Sequence, residues 1–272
     1  MKLLIKVLLL HTLFFTQKIE AQSDIFDKLS KDFYNKDLSV NEYITSIGKF
    51  FIGTPYIAST LEINDAEKLV INLNGMDCVT FVEYVTALAL CFSQKEYDFG
   101  CFVEKLILIR YKSGIIAGYP SRLHYFTDWL QDNSQKGIIS IVSNRIGNAE
   151  FDNKVDFMTS NYHLYKQLKD TALFGQMKDI EAAVSAYSMK YITKDHIKNI
   201  ENEIFDGDII ALATSIKGLD ISHVGFAVWQ NGKLHFLHAS TTNKKVEITA
   251  SPLIDYLQKR TGVTGILVGR IK

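Results

Sequence analysis

The sequence has no excess of charge of either sign: 30 Lys and Arg stand against 30 Asp and Glu in 272 residues. That balance leaves no electrostatic case for a nucleic-acid partner. Internal repeats, low-complexity tracts and long linkers are also missing, so domains in series are not indicated. Cysteine is scarce and odd in number, with Cys78, Cys91 and Cys101 only. In an oxidising compartment at least one of the three stays unpaired. No His-Glu-x-x-His or paired-cysteine spacing marks a zinc site. Finally, no apolar run is long enough for a transmembrane anchor, since Val7 to Leu10 and Leu13 to Phe15 are soon interrupted.

That interrupted run follows the basic start Met1-Lys2-Leu3-Leu4-Ile5-Lys6 and precedes the small residue Ala21. The pattern reads as a secretory signal peptide over residues 1–21. Cleavage would leave no membrane anchor and a single domain over 22–272, exported and most simply periplasmic. Losing Lys2, Lys6, Lys18 and Glu20 leaves 27 basic against 29 acidic side chains.

The helical signals cluster early. Ile25, Phe26, Leu29 and Phe33 have helical spacing, and Ser39 to Glu42 is a capping box ahead of Tyr43, Ile44 and Ile47. Gly53-Thr54-Pro55-Tyr56 ends that helix and puts Tyr56 on a fixed turn. Glu67 to Asn72 alternates weakly, as a strand would. Asp77 is then a good N-cap for a helix running to about Phe92, apolar on nearly every face. Cys78 falls at its first position, where unpaired N–H groups and the helix dipole favour a thiolate. The thiol could equally be a small core residue. Cys91 and Cys101 are near enough to bridge, but both fall in apolar helical segments and are read as two buried thiols.

From 93 to 204 the pattern is mainly helical, with segments at Asp98 to Tyr111, Ser121 to Gln131 and Lys178 to Met189, and a short strand at Ile138 to Val142. The Ser121 segment displays Arg122, His124, Tyr125 and Trp129 at a helix start, a mixture suited to a polar, sugar-containing ligand. An amphipathic helix with a solvated edge is the alternative. The last part reads as strands: Gly207 to Ala213, Ser222 to Trp229, Lys233 to Ala239, Lys245 to Thr249 and Val263 to Ile271. Asn231-Gly232 makes a hairpin, and Ser251 to Lys259 is a crossing helix. The expected fold class is α+β, with the buried Cys78 helix packed on a mostly antiparallel sheet.

The hairpin brings His223 and His238 near each other across paired strands, on the face expected to meet the Cys78 helix. Cys78 with His223 would make a thiolate–imidazolium pair, His223 serving as general base and then acid, with His238 orienting it. Structural roles for both histidines are the alternative.

Gly53-Thr54-Pro55-Tyr56, Met76-Asp77-Cys78, Asp206-Gly207-Asp208-Ile209, Ile221-Ser222-His223-Val224-Gly225-Phe226 and Leu237-His238-Ala239-Ser240 occur in this order. The set resembles the NlpC family of papain-like bacterial cell-wall hydrolases over a core of about 39–92 and 205–272, with a helical insertion at about 93–204. The resemblance implies a papain-like core with Cys78 as nucleophile, His223 as base and His238 as orienting residue. Tyr56, Asp77 and Ser222 become site residues, Tyr56 sharing the oxyanion with the Cys78 N–H. Asp77-Cys78-Val79-Thr80-Phe81 departs from the usual Asp-Cys-Ser-Gly pattern. That departure and the insertion resemble the N-acetylmuramoyl-L-alanine amidase-like branch, which makes Arg122, His124, Tyr125 and Trp129 candidates for sugar or stem-peptide contact. The implied substrate is peptidoglycan or its muropeptide fragments, with no cofactor and no metal. Cleavage of the stem peptide between D-Glu and the diamino acid, or inactive murein binding, are the alternatives.

Overall fold

The computed structural model describes residues 24–152 and 154–272. The signal-peptide reading of 1–21 lies outside the described residues. A first helix, α1, covers 24–33. The next, α2 (Val40–Phe50), starts on the Ser39–Glu42 capping box. Helix α3 (Cys78–Ser93) is also capped reciprocally: Asp77 Oδ1 accepts from the Thr80 N–H at 2.8 Å, and Thr80 Oγ1 accepts from the Asp77 N–H at 2.9 Å. Phe81, Val82, Val85, Leu88 and Ala89 are all fully buried, which is why this helix shows almost no polar stripe.

Helix α4 (Phe99–Arg110) follows, capped by Asp98. The reading of Cys91 and Cys101 as two thiols is corrected: they form a disulfide, Cα–Cα 6.0 Å. The chain reverses at Lys95 in a left-handed conformation (φ 61°), which sets the last turn of α3 against the first turn of α4. Closing so short a loop stabilises the fold by about 2–3 kcal/mol. Cys78 remains the free thiol among the described cysteines.

Three further corrections concern segments whose local pattern was overruled. Residues 67–72 form no strand, because distant side chains take the backbone groups: the Asn72 N–H donates to the Tyr84 hydroxyl and Val70 O accepts from Arg110 Nη1. The helix expected from Ser121 begins at Phe126 instead, as α5 (Phe126–Gln135). Leu123 N–H is already committed to Arg110 O, which holds 122–125 extended. The helix expected over Lys178 to Met189 runs as Thr171–Ser185, started by Asp170 accepting from the Ala172 and Leu173 N–H groups.

The strands are β1 (Ile139–Ile141), β2 (Ala149–Glu150), β3 (Lys190–Thr193), β4 (Ile209–Thr214), β5 (Ile221–Gln230), β6 (Lys233–Ser240), β7 (Lys245–Ile248) and β8 (Val263–Ile271). They order as β2-β3-β8-β4-β5-β6-β7, with β1 also on β8, and every pairing is antiparallel. The 93–204 segment is therefore not purely helical. Its β1 and β3 cover the edge of β8 that β4 leaves free, where bare backbone groups would otherwise face solvent or another chain. Short helices α6 (Ser143–Ile146), α7 (Phe157–Ser160), α9 (Ile197–Ile200) and α10 (Leu253–Gln258) and the longer α8 (Thr171–Ser185) complete the fold. The β5–β6 turn is as expected, with Asn231 (φ 51°) and Gly232 (φ 73°) left-handed and Gln230 opposite Lys233.

The two sheet faces bury different partners. Val224, Phe226, Val228, Leu237 and Ala239 join the cluster around α3. Leu212, Ala227, Leu234 and Phe236 join a second cluster with Leu253 and Leu257 of α10.

Candidate active site

Cys78 is the first residue of α3, and three backbone N–H groups favour its thiolate: those of Val224, of Cys78 itself and of Val79. Burial and the neighbouring Asp77 carboxylate outweigh them and push the thiol up to about 12. The contact with Val224 brings the sulfur to the residue next to His223. Cys78, His223 and Val224 line one cleft of ≈ 270 Å³.

His223 Nε2 lies 2.7 Å from His238 Nδ1. This leaves Nδ1 as the other ring nitrogen of His223 and requires the shared proton on one of the two rings. Burial and the positive charge of Arg260 lower His223 to about 4; burial, His223 and Arg260 lower His238 further. Burial thus favours a neutral thiol and neutral imidazoles, and the expected thiolate–imidazolium pair is opposed by desolvation.

The expected face needs correction. His223 pairs with Leu212 and makes ring contact with Phe236 at 5.8 Å, and His238 stacks on Phe236 at 4.7 Å. The imidazoles therefore share the Phe236 side of the sheet, while Leu237 and Ala239 take the α3 side. Cys78, at the start of its helix, shares the cleft lining with His223 and takes the N–H of Val224 on the same strand.

Gly225, two residues after His223 on β5, sets the spacing of the pair. A Cβ there would fall 2.5 Å from Leu237 O, 2.8 Å from His238 Cβ and 2.8 Å from Phe236 Cε2. Only a residue without a side chain lets β6 bring His238 this close.

The other candidates divide. Tyr56 is half-buried, and its hydroxyl is raised to about 12 by burial and by the negative charge that Cys78 and Asp77 can carry. Ser222 is exposed on the cleft wall and bonds Leu212 O at 3.3 Å. Arg122, His124 and Tyr125 also line the cleft. Arg122 pairs with Glu62 at 2.5 Å and Glu67 at 3.4 Å, while His124 Nε2 donates to Tyr119 O at 2.8 Å. The Tyr125 hydroxyl donates to Glu181 at 2.7 Å and accepts from the Met158 N–H, tying α8 to the cleft. Trp129 is a correction: it is fully buried, stacked on Phe126 at 5.0 Å, and absent from the cleft lining. With α5 starting at Phe126, position 129 turns into the core.

Glu62, Glu181 and Asp220 are cleft or support residues that no local pattern announced. Asp220 accepts from the Thr127 N–H and hydroxyl, both at 2.8 Å, capping α5 from 93 residues away while it leads into β5. Every carboxylate in the cleft is engaged: Glu62 with Arg122, Asp77 with Thr80, Glu83 with Arg110 at 2.8 Å, Asp220 with Thr127. None is placed as the free acid–base pair of a glycosidase. Among the described residues no group of three or more His, Cys, Asp and Glu is arranged to hold a metal ion.

The chain matches the AmiA-like, N-acetylmuramoyl-L-alanine amidase-like family over residues 46–265. It is similar to the crystal structure of an N-acetylmuramoyl-L-alanine amidase from Bacteroides uniformis, at 36% identity and TM-score 0.82, covering 86% of this chain and 99% of that one. A Bacteroides fragilis protein provisionally named a xylanase is 41% identical with TM-score 0.79, over 83% of this chain and 100% of that one. A Legionella pneumophila protein of the DUF1460 family, 24% identical with TM-score 0.70 over 93% and 96%, shares the fold. No curated protein matches the chain.

Proposed function

The chain belongs to the AmiA-like, N-acetylmuramoyl-L-alanine amidase-like family, and on that premise we propose that it hydrolyses the amide between the lactyl group of N-acetylmuramic acid and L-alanine in peptidoglycan or its fragments. Family membership supports a peptidoglycan-related amidase; the bond and the residues are our reading. The observation that carries it is one cleft lined by a free cysteine at a helix start, which takes the Val224 N–H, and by the adjacent His223, itself 2.7 Å from His238. We read the core as papain-like, of the NlpC type.

In this reading the neutral thiol passes its proton to His223 Nδ1 as Sγ attacks the amide carbonyl carbon, so proton transfer accompanies bond formation. The carbonyl oxygen takes the negative charge beside the Cys78 N–H, with the protonated Tyr56 hydroxyl as second donor. When the C–N bond breaks, His223 returns the proton to the amine of L-alanine. A muramyl thioester remains. His223 then takes a proton from water as the water oxygen attacks, and the thiol leaves protonated. The disulfide between Cys91 and Cys101 supports export to an oxidising compartment, in keeping with the signal-peptide reading.

Defined muropeptides incubated with wild type and Cys78→Ala, read by mass spectrometry, test the reading. Free sugar plus intact peptide from wild type only is the expected result. Shortened peptide still on sugar would transfer the cut to the stem peptide. Binding without cleavage by either protein would make the chain a murein-binding module. Activity should survive excess chelator and be lost to a thiol alkylator.

A further inference from the structure

His238 is held in an unusual way for a residue that must aim another. It is 1% exposed and its Nδ1 faces His223, but its Nε2 is buried with no hydrogen-bond partner among the described residues. No polar group therefore fixes the far end of the ring. Aromatic side chains do so instead: Phe236 stacks on it at 4.7 Å, and Tyr256 meets it edge to face at 5.5 Å. Tyr256 in turn carries the Arg260 guanidinium 3.6 Å from its ring centroid.

We propose that Tyr256 and Arg260 are positioning residues of the histidine pair: the Tyr256 ring braces His238, and the Arg260 charge stacked on it keeps His238 from becoming a cation. The proposal rests on His223 acting as the base. For that, His223 must accept at Nδ1, so its own proton sits on Nε2 and His238 Nδ1 must accept it. A protonated His238 would present a donor at Nδ1. His223 would then have to accept at Nε2 and carry its proton on Nδ1, where it could no longer take one from the thiol. Preventing that state preserves the productive tautomer.

The brace is anchored on both sides. Leu253 and Leu257 of α10 are buried in the cluster that holds Phe236. Lys194, from the inserted segment, donates to Arg260 O at 2.6 Å. The charged and titratable groups around His238 and its brace are His223 on β5, Glu247 opposite it on β7, Tyr256, Arg260 on the Tyr256 ring, and Cys78, whose charge reaches Tyr256. Glu247 is occupied by two contacts from the Asn243 side-chain amide, at 2.7 and 2.9 Å. Arg260 acts with burial to lower both imidazoles.

Arg260→Gln, Arg260→Lys and Tyr256→Leu test this. Histidine Cε1–H resonances followed against pH, without substrate, should show the pair titrating about half a unit to one unit higher in Arg260→Gln than in wild type. The acid limb of kcat/KM should move upward with it, KM at pH 8 should stay unchanged, and Arg260→Lys should restore both. Tyr256→Leu should lower kcat by about 10–100-fold with KM kept. Superimposable titrations of wild type and Arg260→Gln would overturn the proposal, as would wild-type kcat in Tyr256→Leu. If Tyr256→Leu does not fold, the Arg260 pair decides alone. Because the titration needs no substrate, it reads the brace even if the muropeptide assignment fails.

Discussion

Replacing Gly225 by alanine should damage catalysis far more than a single methyl suggests. The new Cβ would stand 2.5 Å from the carbonyl oxygen of Leu237 and 2.8 Å from His238 Cβ. Neither can swing aside, because one is backbone and the other is attached to it. Reaching an ordinary contact requires strands β5 and β6 to separate by roughly 0.7–0.9 Å at this point, taking ~3.3 Å as the closest tolerable approach. The His223–His238 bond of 2.7 Å has little room for that, and stretched by the same amount it leaves hydrogen-bond range. Overpacking should cost about 1–3 kcal/mol of stability, and misplacing the base by nearly 1 Å should cost about 10²-fold in kcat. Urea unfolding gives the first figure and muropeptide hydrolysis the second, with His238→Ala as the comparison for a lost orienting ring. A Gly225→Ala protein with wild-type stability and turnover would refute the geometry that places His238 over position 225.

Three other outcomes follow from the same structure. With the thiol pushed up to about 12, iodoacetamide should modify substrate-free Cys78 at pH 7.5 more slowly than a free thiol, and the rate should keep climbing above pH 9; a plateau near neutral pH would show a preformed thiolate. His223 has a folded value of about 4 against about 6.5 unfolded, so the unfolded chain binds more protons in that window. Stability should be full above pH 6.5 and fall by a few kcal/mol towards pH 4, with His223→Gln flattening the slope in urea titrations. Cys91→Ser should lower stability by about 2–3 kcal/mol and leave kcat within a few-fold, since the bridge closes a short loop remote from the sulfur of Cys78.

Much of this protein was written in short-range patterns. Asp77 with Thr80 started α3 where the sequence reading placed it, Asn231-Gly232 turned the hairpin, and five strands fell where alternation put them. The placing of Cys78 at a helix start and of His223 and His238 on paired strands could be read from local signals, a cap, a turn and alternating strands, whereas the roles proposed for them came from the family resemblance. Such signals depend on a few neighbouring residues and so survive in one dimension.

Tertiary structure alone decided the remainder. It joined Cys91 to Cys101, buried Trp129, held 67–72 out of a strand and put the two imidazoles on the Phe236 side of the sheet. It also stacked Arg260 on Tyr256, the ring that meets His238, and buried the thiol so that its value is pushed up to about 12. The reason is physical: desolvation and charge at one atom are sums over everything packed around it, and residues 78, 223, 238 and 260 become neighbours only once the sheet and α3 close on each other.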